Sequence, residues 1–293
     1  MQISNFFSNQ KIINADVQVK VTHYADSSHP LTATFAENEY YLNQALANPN
    51  VEVVITNESL MGLVETKKTL VISEAPKKSF FELHNYMFNN GFFNLIENGS
   101  ISKEAIISKT AVIKDNVIIE DGVVIEDYAV IESNTHLKKG VYVGPHAVIG
   151  ARGMHNTFIN GECIWVKDAG GVIIESGVQV LAHATIQKSY FYEPTIIGKA
   201  SIVSVHCNIG HGCKIGQKTM IAGHAQLAGY TSVGNNVWIG PAVTTAHGIT
   251  VGDKAELLVG SVVINDIAEA TKVSGNFAMS HRKNLRKYTK ESK

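Results

Sequence analysis

Between residues 101 and 149 the chain reads ISKEAIISKTAVIKDNVIIEDGVVIEDYAVIESNTHLKKGVYVGPHAVI, and every sixth residue is aliphatic: Ile101, Ile107, Ile113, Ile119, Ile125, Ile131, Leu137, Val143 and Ile149. The pattern resumes at Ile174, Val180 and Ile186, slips by one residue, and runs from Ile197 through Val203, Ile209, Ile215, Ile221, Leu227, Val233 and Ile239. Thr245 is the one polar position before Val251, Leu257 and Val263. A helix needs a period near 3.6 and an amphipathic strand a period of 2, so neither produces this pattern. A period of six predicts a β-solenoid, the left-handed parallel β-helix, in which each hexapeptide is one flat face and three faces make a coil. The aliphatic residue points inward, and Gly122, Gly144, Gly210, Gly216, Gly234 and Gly252 are read as rounding the corners.

Outward from the repeat, the chain divides into three parts. The solenoid is expected over 99–272, interrupted by ARGMHNTFINGECIWVKDAGGV (151–172), which is too long for a corner and must leave the solenoid as a loop. Long loops on rigid scaffolds often carry function, although packing against a neighbouring subunit is an equal alternative. Residues 1–98 lack the period. VEVVIT (51–56) and TLVIS (69–73) read as buried strands, and NEYYLNQALAN and SFFELHNYMFNN have helical spacing, which predicts a small α/β domain. The basic tail, 273–293, is expected to be a short helix.

Composition narrows the function classes. Lys and Arg number 25 against 26 Asp and Glu among 293 residues, a net charge of −1, so bulk-charge binding of nucleic acid is not expected. Apolar residues at 45% and charged ones at 17% exclude a mostly disordered chain. Cys163, Cys207 and Cys213 are too few and too odd for a disulfide framework, and Cys207 and Cys213 read as small buried or corner fillers. No apolar run is long enough for a membrane span, and no secretory signal is visible, so a cytoplasmic protein is expected.

Residues 18 apart should stack on adjacent coils, about 4.8 Å apart as neighbouring strands require. His206 and His224 then stack, and His211, Gly229 and His247 share a column. A near-neutral histidine can take a proton from an amine or a hydroxyl, and a rigid backbone N–H can hold the oxyanion formed when that nucleophile attacks a thioester. Two alternatives stand beside this: hydrogen bonding at a trimer interface, or a zinc carbonic anhydrase site in which His206 and His211 reach a metal across a subunit boundary with His224 or His183.

The segment NIGHGCKIGQKTMIAGHAQLAGYTSVG (208–234) resembles the catalytic stretch of the UDP-3-O-acylglucosamine N-acyltransferases of lipid A biosynthesis. The resemblance covers most of the chain. It implies that His211 is the general base and that the Gly229 N–H holds the oxyanion. TFAENEYY (34–41) resembles the family's uracil-binding segment, which implies Phe35 and Tyr41 as stacking aromatics and Asn38 as the base-reading amide; the alternative is that both aromatics are ordinary core residues of a helix. IWVKDAGGVIIESGVQVLAHATI (164–186) aligns with the family's Trp-containing excursion, and Trp165, His206, His224 and His247 are candidates for the substrate groove expected between two solenoids.

The sequence departs from the family at several places. Ser204 and Val205 stand where the family has an Asp–Asn pair, Gly212 replaces an Asn, and Gln187 and Lys188 replace an acidic–arginine pair, with Lys188 a further groove candidate. These departures favour a sister enzyme for surface glycans, acting on another nucleotide-linked amino sugar with a shorter acyl donor. The resemblance implies an N-acyltransferase working as a homotrimer, with acyl-CoA or acyl carrier protein as co-substrate, no resident cofactor and no metal. An O-acyltransferase on the same scaffold is the alternative within the enzyme class.

Overall fold

The computed structural model describes residues 1–62, 65–93, 95–275, 277–283 and 286. A five-stranded sheet comes first: β1 (Lys11–Ile13), β2 (Val21–Thr22), β3 (Thr32–Phe35), β4 (Val51–Thr56) and β5 (Thr69–Ile72), in the order β1-β5-β4-β3-β2. The strands β2 to β5 run parallel and β1 runs antiparallel along β5. Helices α1 (Glu39–Ala47), α2 (Glu58–Met61) and α3 (Pro76–Asn89) complete the unit. β4 is buried at Val51, Val53, Val54 and Ile55, as a run of β-branched residues in a parallel sheet requires. No helix among the described residues is long and apolar enough to cross a membrane.

From Ser100 to Val273 short strands stack into three parallel sheets of nine, eight and eight strands, the faces of the left-handed parallel β-helix. The six-residue column is its core: Ile131, Leu137, Val143, Ile149, Ile174, Val180 and Ile186 have no exposed surface. Ile101 is 54% exposed, because it lies on the terminal rung and has a coil on one side only.

Pairing shows where the period breaks. Ile125 pairs with Val143, 18 residues on, but Val143 pairs with Val180 and Ile186 with Ile209. The apparent slip by one residue is therefore a second, five-residue insertion, since Ile186 and Ile209 are 23 apart. Its residues leave the solenoid around 188–194 and include Phe191, which is fully buried. The larger break is a hairpin rather than a loop: Asn156–Ile159 pairs antiparallel with Glu162–Trp165. Its turn is Asn160–Gly161, with φ of +51° and +80°, the backbone that a two-residue hairpin of this twist demands.

The corner expectation is corrected as well. Gly122 does adopt a left-handed φ of +66°, but Gly216 serves close approach instead: a Cβ there would lie 2.8 Å from Asn235 N on the next coil. Many left-handed corner positions are held by larger residues, among them Tyr128, His146, His183, His206 and His224, with φ between +56° and +61°. The strand Lys272–Val273 continues the solenoid one residue past its expected end. Of the tail expected to be helical, 281–283 and 286 are helical, while 276, 284–285 and 287–293 lie outside the described residues.

The two parts meet across a shared core in which Phe80, Phe81, Leu83 and Met87 of α3 pack with Val166 and Ala169 of the first insertion and Phe191 of the second. α3 also holds the first insertion by hydrogen bonds. His84 Nε2 donates to the Lys167 carbonyl at 2.8 Å, while its Nδ1 accepts from the Thr22 hydroxyl. Asn85 donates to the Trp165 carbonyl at 3.0 Å and accepts from the Lys167 N–H at 2.9 Å. Burial pushes the His84 imidazole down to about 4, so it is neutral at physiological pH.

Candidate active site

A cavity of about 220 Å³ lies where the N-terminal unit, the two insertions and the solenoid converge. Tyr24, Lys77 and Phe81 reach it from the N-terminal unit, Met154, His155 and Val166 from the hairpin insertion, Tyr190 from the second insertion, and His211 and His247 from the solenoid. The walls therefore come from segments up to 223 residues apart in sequence, Tyr24 and His247 being the extremes. Tyr24 and Tyr190 close one side with their hydroxyls 2.9 Å apart.

His211 meets four rings. Its centroid is 4.7 Å from His155, 5.1 Å from Tyr190 and from Tyr230, and 6.0 Å from His247. Its Nδ1 is buried and has no hydrogen-bond partner among the described residues. Burial, then the neighbouring His155 and His247, push His211 down to about 4 against the opposing pull of Asp168. The ring is thus an unprotonated proton acceptor at neutral pH.

Gly229 lies on the next coil beneath that ring. A Cβ on Gly229 would fall 2.8 Å from His211 Cδ2 and closer still to Nε2 and Cε1, so the imidazole occupies the space that glycine leaves. Gly229 is buried, and its N–H has no acceptor among the described residues, while its carbonyl accepts from Gly248 N at 3.0 Å. Buried unpaired N–H groups are rare, and one beside a candidate base is a donor awaiting an acceptor.

The hairpin insertion adds residues that the sequence reading left out of the site. His155 is 5% exposed and its Nδ1 is hydrogen-bonded to the Asp168 carboxylate. Arg152 stands 3.6 Å from the other Asp168 oxygen, donates to the Val166 carbonyl at 2.7 Å, and lies over the Trp165 ring at 4.1 Å. Trp165 is 59% exposed and is not among the residues lining the cavity; nor is Lys188, whose backbone N–H bonds Ala151 where the hairpin departs.

His206 and His224 stack as their spacing predicts, 5.0 Å apart, but they belong to another corner of the solenoid. There Tyr128, His146, His183, His206 and His224 form one exposed ladder, with rings 4.8–5.0 Å apart. His211 has no ring contact with this ladder, so His206 and His211 do not meet within one chain. Among the described residues no group of three or more His, Cys, Asp or Glu is placed to hold a metal ion.

A second cavity, of about 500 Å³, opens beside α1 and is lined by Tyr24, Phe35, Glu37, Asn38, Tyr41 and Lys77, among others. Phe35 is anchored against Phe80 at 4.9 Å, whereas Tyr41 is 51% exposed. Asn38 caps α1, its Oδ1 accepting from Tyr41 N at 3.0 Å, so its Nδ2 hydrogens are what it offers to a ligand.

The model of the bacterial transferase hexapeptide (six repeats) matches residues 116–152. A UDP-3-O-acylglucosamine N-acyltransferase of Campylobacter lari is 29% identical over 129 residues, which is 44% of this chain and 40% of that relative, so the match spans less than half of either. Among solved structures, the UDP-N-acetylglucosamine O-acyltransferase of Moraxella catarrhalis is 22% identical with a TM-score of 0.41, over 64% of this chain and 77% of that one. The UDP-N-acetylglucosamine acyltransferase of Campylobacter jejuni is 21% identical with a TM-score of 0.39, over 65% and 83%. Structural likeness of this strength bears on neither substrate nor chemistry. The hexapeptide repeat matched over residues 116–152 is part of the repeat that builds the three-sheet solenoid.

Proposed function

We propose that the chain moves an acyl group from a thioester, carried on coenzyme A or an acyl carrier protein, to the amine of a nucleotide-linked amino sugar. The observation that carries this reading is the adjacency of the two cavities: Tyr24 and Lys77 stand in the walls of both. A nucleotide in the larger cavity, with its base at Phe35, Tyr41 and Asn38, directs its sugar past Lys77 toward His211. The Lys77 ammonium, at the junction, offers a counter-charge to a diphosphate.

In that arrangement His211 Nε2 accepts a proton from the amine as its nitrogen bonds to the thioester carbonyl carbon. The carbonyl oxygen becomes an oxyanion, for which the Gly229 N–H is the donor. Collapse breaks the C–S bond, and the thiolate takes the proton back from the His211 imidazolium, so no covalent enzyme intermediate is needed. His247, in the cavity wall, is placed to contact the acceptor or donor. His206, His224, Trp165 and Lys188 line neither cavity of a single chain, and their proposed place is the groove between two solenoids of the trimer. The working unit is proposed to be a homotrimer, and a monomer by light scattering would overturn that part.

The test is release of free thiol when the protein is mixed with nucleotide amino sugars and with short and 3-hydroxyacyl donors on coenzyme A and carrier protein. Release that His211→Ala abolishes in a folded protein supports the reading, and near-normal turnover in that variant overturns the base assignment. Release with a hydroxyl acceptor alone would make it an O-acyltransferase.

A further inference from the structure

The imidazole proposed as base has nothing on its own coil to fix its orientation: the buried Nδ1 of His211 is unpaired among the described residues. The ring that meets it most closely comes from the hairpin insertion. His155 stands edge to face with His211, centroids 4.7 Å apart and planes at 87°. His155 is itself held, because a carboxylate only accepts, so the Asp168 contact places the proton on His155 Nδ1. The Nε2 of His155 is then a bare lone pair, and it too is buried without a partner among the described residues. Two adjacent buried imidazoles thus present one unpaired nitrogen each, an arrangement costly enough to need a reason.

The reason is complementarity. With its Nε2 free to take a substrate proton, neutral His211 carries its own proton on Nδ1, a donor matching the lone pair on His155. Resting on the reading of His211 as base, we propose that Asp168 and His155 are the positioning residues of the site: they set the His211 tautomer and ring plane, and His155 Nε2 accepts the His211 Nδ1–H when substrate fills the cavity. Catalytic hydrogen bonds that are open in an unliganded protein commonly close in the complex. After proton transfer the His211 imidazolium is thereby linked to the Asp168 carboxylate. The insertion's sequence carries this pair on a frame of its own: Arg152 flanks Asp168 at 3.6 Å, and His84 and Asn85 hold residues 165–167 in place.

The other titratable groups facing the two rings are His247, Tyr190 and Tyr230 beside His211, Tyr190 also beside His155, and Lys77 and Tyr24 across the cavity. Asp168 opposes the downward push on His211, while His155 adds to it. Asp168→Asn is expected to lower kcat about 10–100-fold with KM within about threefold, and to move the acid limb of the pH–rate profile to lower pH. His155→Phe, which keeps a ring of similar shape but removes the accepting lone pair, is expected to lower kcat comparably, with KM as little changed. The Asp168→Asn shift should appear in the His211 Cε1 proton titration by NMR, read without substrate.

A folded Asp168→Asn or His155→Phe with kcat within twofold of the parent and an unmoved His211 titration overturns the proposal, as does a loss confined to KM or thermal stability. Should Asp168→Asn not fold, Asp168→Glu, which retains the carboxylate and should keep most of the rate, carries the test together with His155→Phe. The titration separates the two ideas. If it moves as expected while His211→Ala keeps its turnover, the pair acts on His211 but the assignment of His211 as base has failed.

Discussion

The imidazole of His211 rests in the space over Gly229 where any other residue would carry its Cβ, with Cδ2 only 2.8 Å from that point. The glycine is not among the left-handed corner residues, so its role is to make room for the ring and leave its N–H unpaired beside it. Gly229→Ala should therefore leave the coil paired while displacing the imidazole. Thiol release should fall about 10–100-fold with a melting temperature within a few degrees of the parent. In the background of His211→Ala, which alone should cost about 10²–10⁴ in rate, the added methyl should have little further effect. Additive losses in this double-mutant cycle would show that the two residues act separately.

The pH dependence of activity follows from the burial of His211. A base works in its unprotonated form, so activity is retained above its folded value and lost as pH falls through it. With His211 pushed down to about 4, kcat/KM should hold on the acid side through pH 6 and decline toward pH 4. An acid limb near 6.5, the value of an unperturbed imidazole, would contradict the burial that the structure shows.

His84 should set a pH dependence of stability. Its folded value of about 4 lies below the ordinary 6.5, so between these values the unfolded chain binds a proton that the folded chain does not. Stability should fall as pH drops from 6.5 toward 4, by up to about 3 kcal/mol from this one residue. His84→Ala should remove that dependence, and it should cost about 2–4 kcal/mol at pH 7 by leaving the Lys167 carbonyl and the Thr22 hydroxyl without partners. Chemical denaturation at a series of pH values measures both.

Glu193 makes a second junction, with the opposite sign. It accepts from Ser28 at 3.0 Å and lies 3.2 Å from His29, 3.7 Å from His23 and 3.9 Å from Lys214, joining the N-terminal unit to the solenoid. The nearby His23, then Lys214, hold its carboxyl down at about 2. A carboxylate lowered in this way stabilises fully above about 4.5 and loses its contribution as pH falls toward 2. Glu193→Gln should cost about 1–2 kcal/mol at pH 7, reduced by its partial exposure, and nothing near pH 2.

The nucleotide cavity separates binding from stability. Tyr41→Ala removes an exposed ring and should weaken binding of a pyrimidine nucleotide about tenfold with little change in melting temperature. Phe35→Ala also removes packing against Phe80, so it should weaken binding and cost about 2–3 kcal/mol of stability. Unchanged affinity in both variants, measured by calorimetry with uridine and thymidine diphosphates, would remove the nucleotide assignment.

Periodicity alone determined the solenoid, because every coil repeats the same inward aliphatic position and its register follows from counting. The stacking of His206 on His224 and the placing of His211 over Gly229 follow from the same 18-residue step. That counting fails wherever residues are inserted. His183 and His206 are 23 apart and His146 and His183 are 37 apart, yet both pairs stack in the ladder, and only strand pairing reveals it. The larger insertion, read as a loop, carried a hairpin signal in Asn160–Gly161, whose backbone has positive φ at both residues. The Asp168–His155–His211 cluster was not. His155 and Asp168 meet because a hairpin folds between them, and they reach His211 because α3 and Phe191 clamp that hairpin against the solenoid. Local repetition carries its own geometry in the sequence, whereas a site assembled from two insertions and a separate sheet exists only once their buried surfaces have packed together.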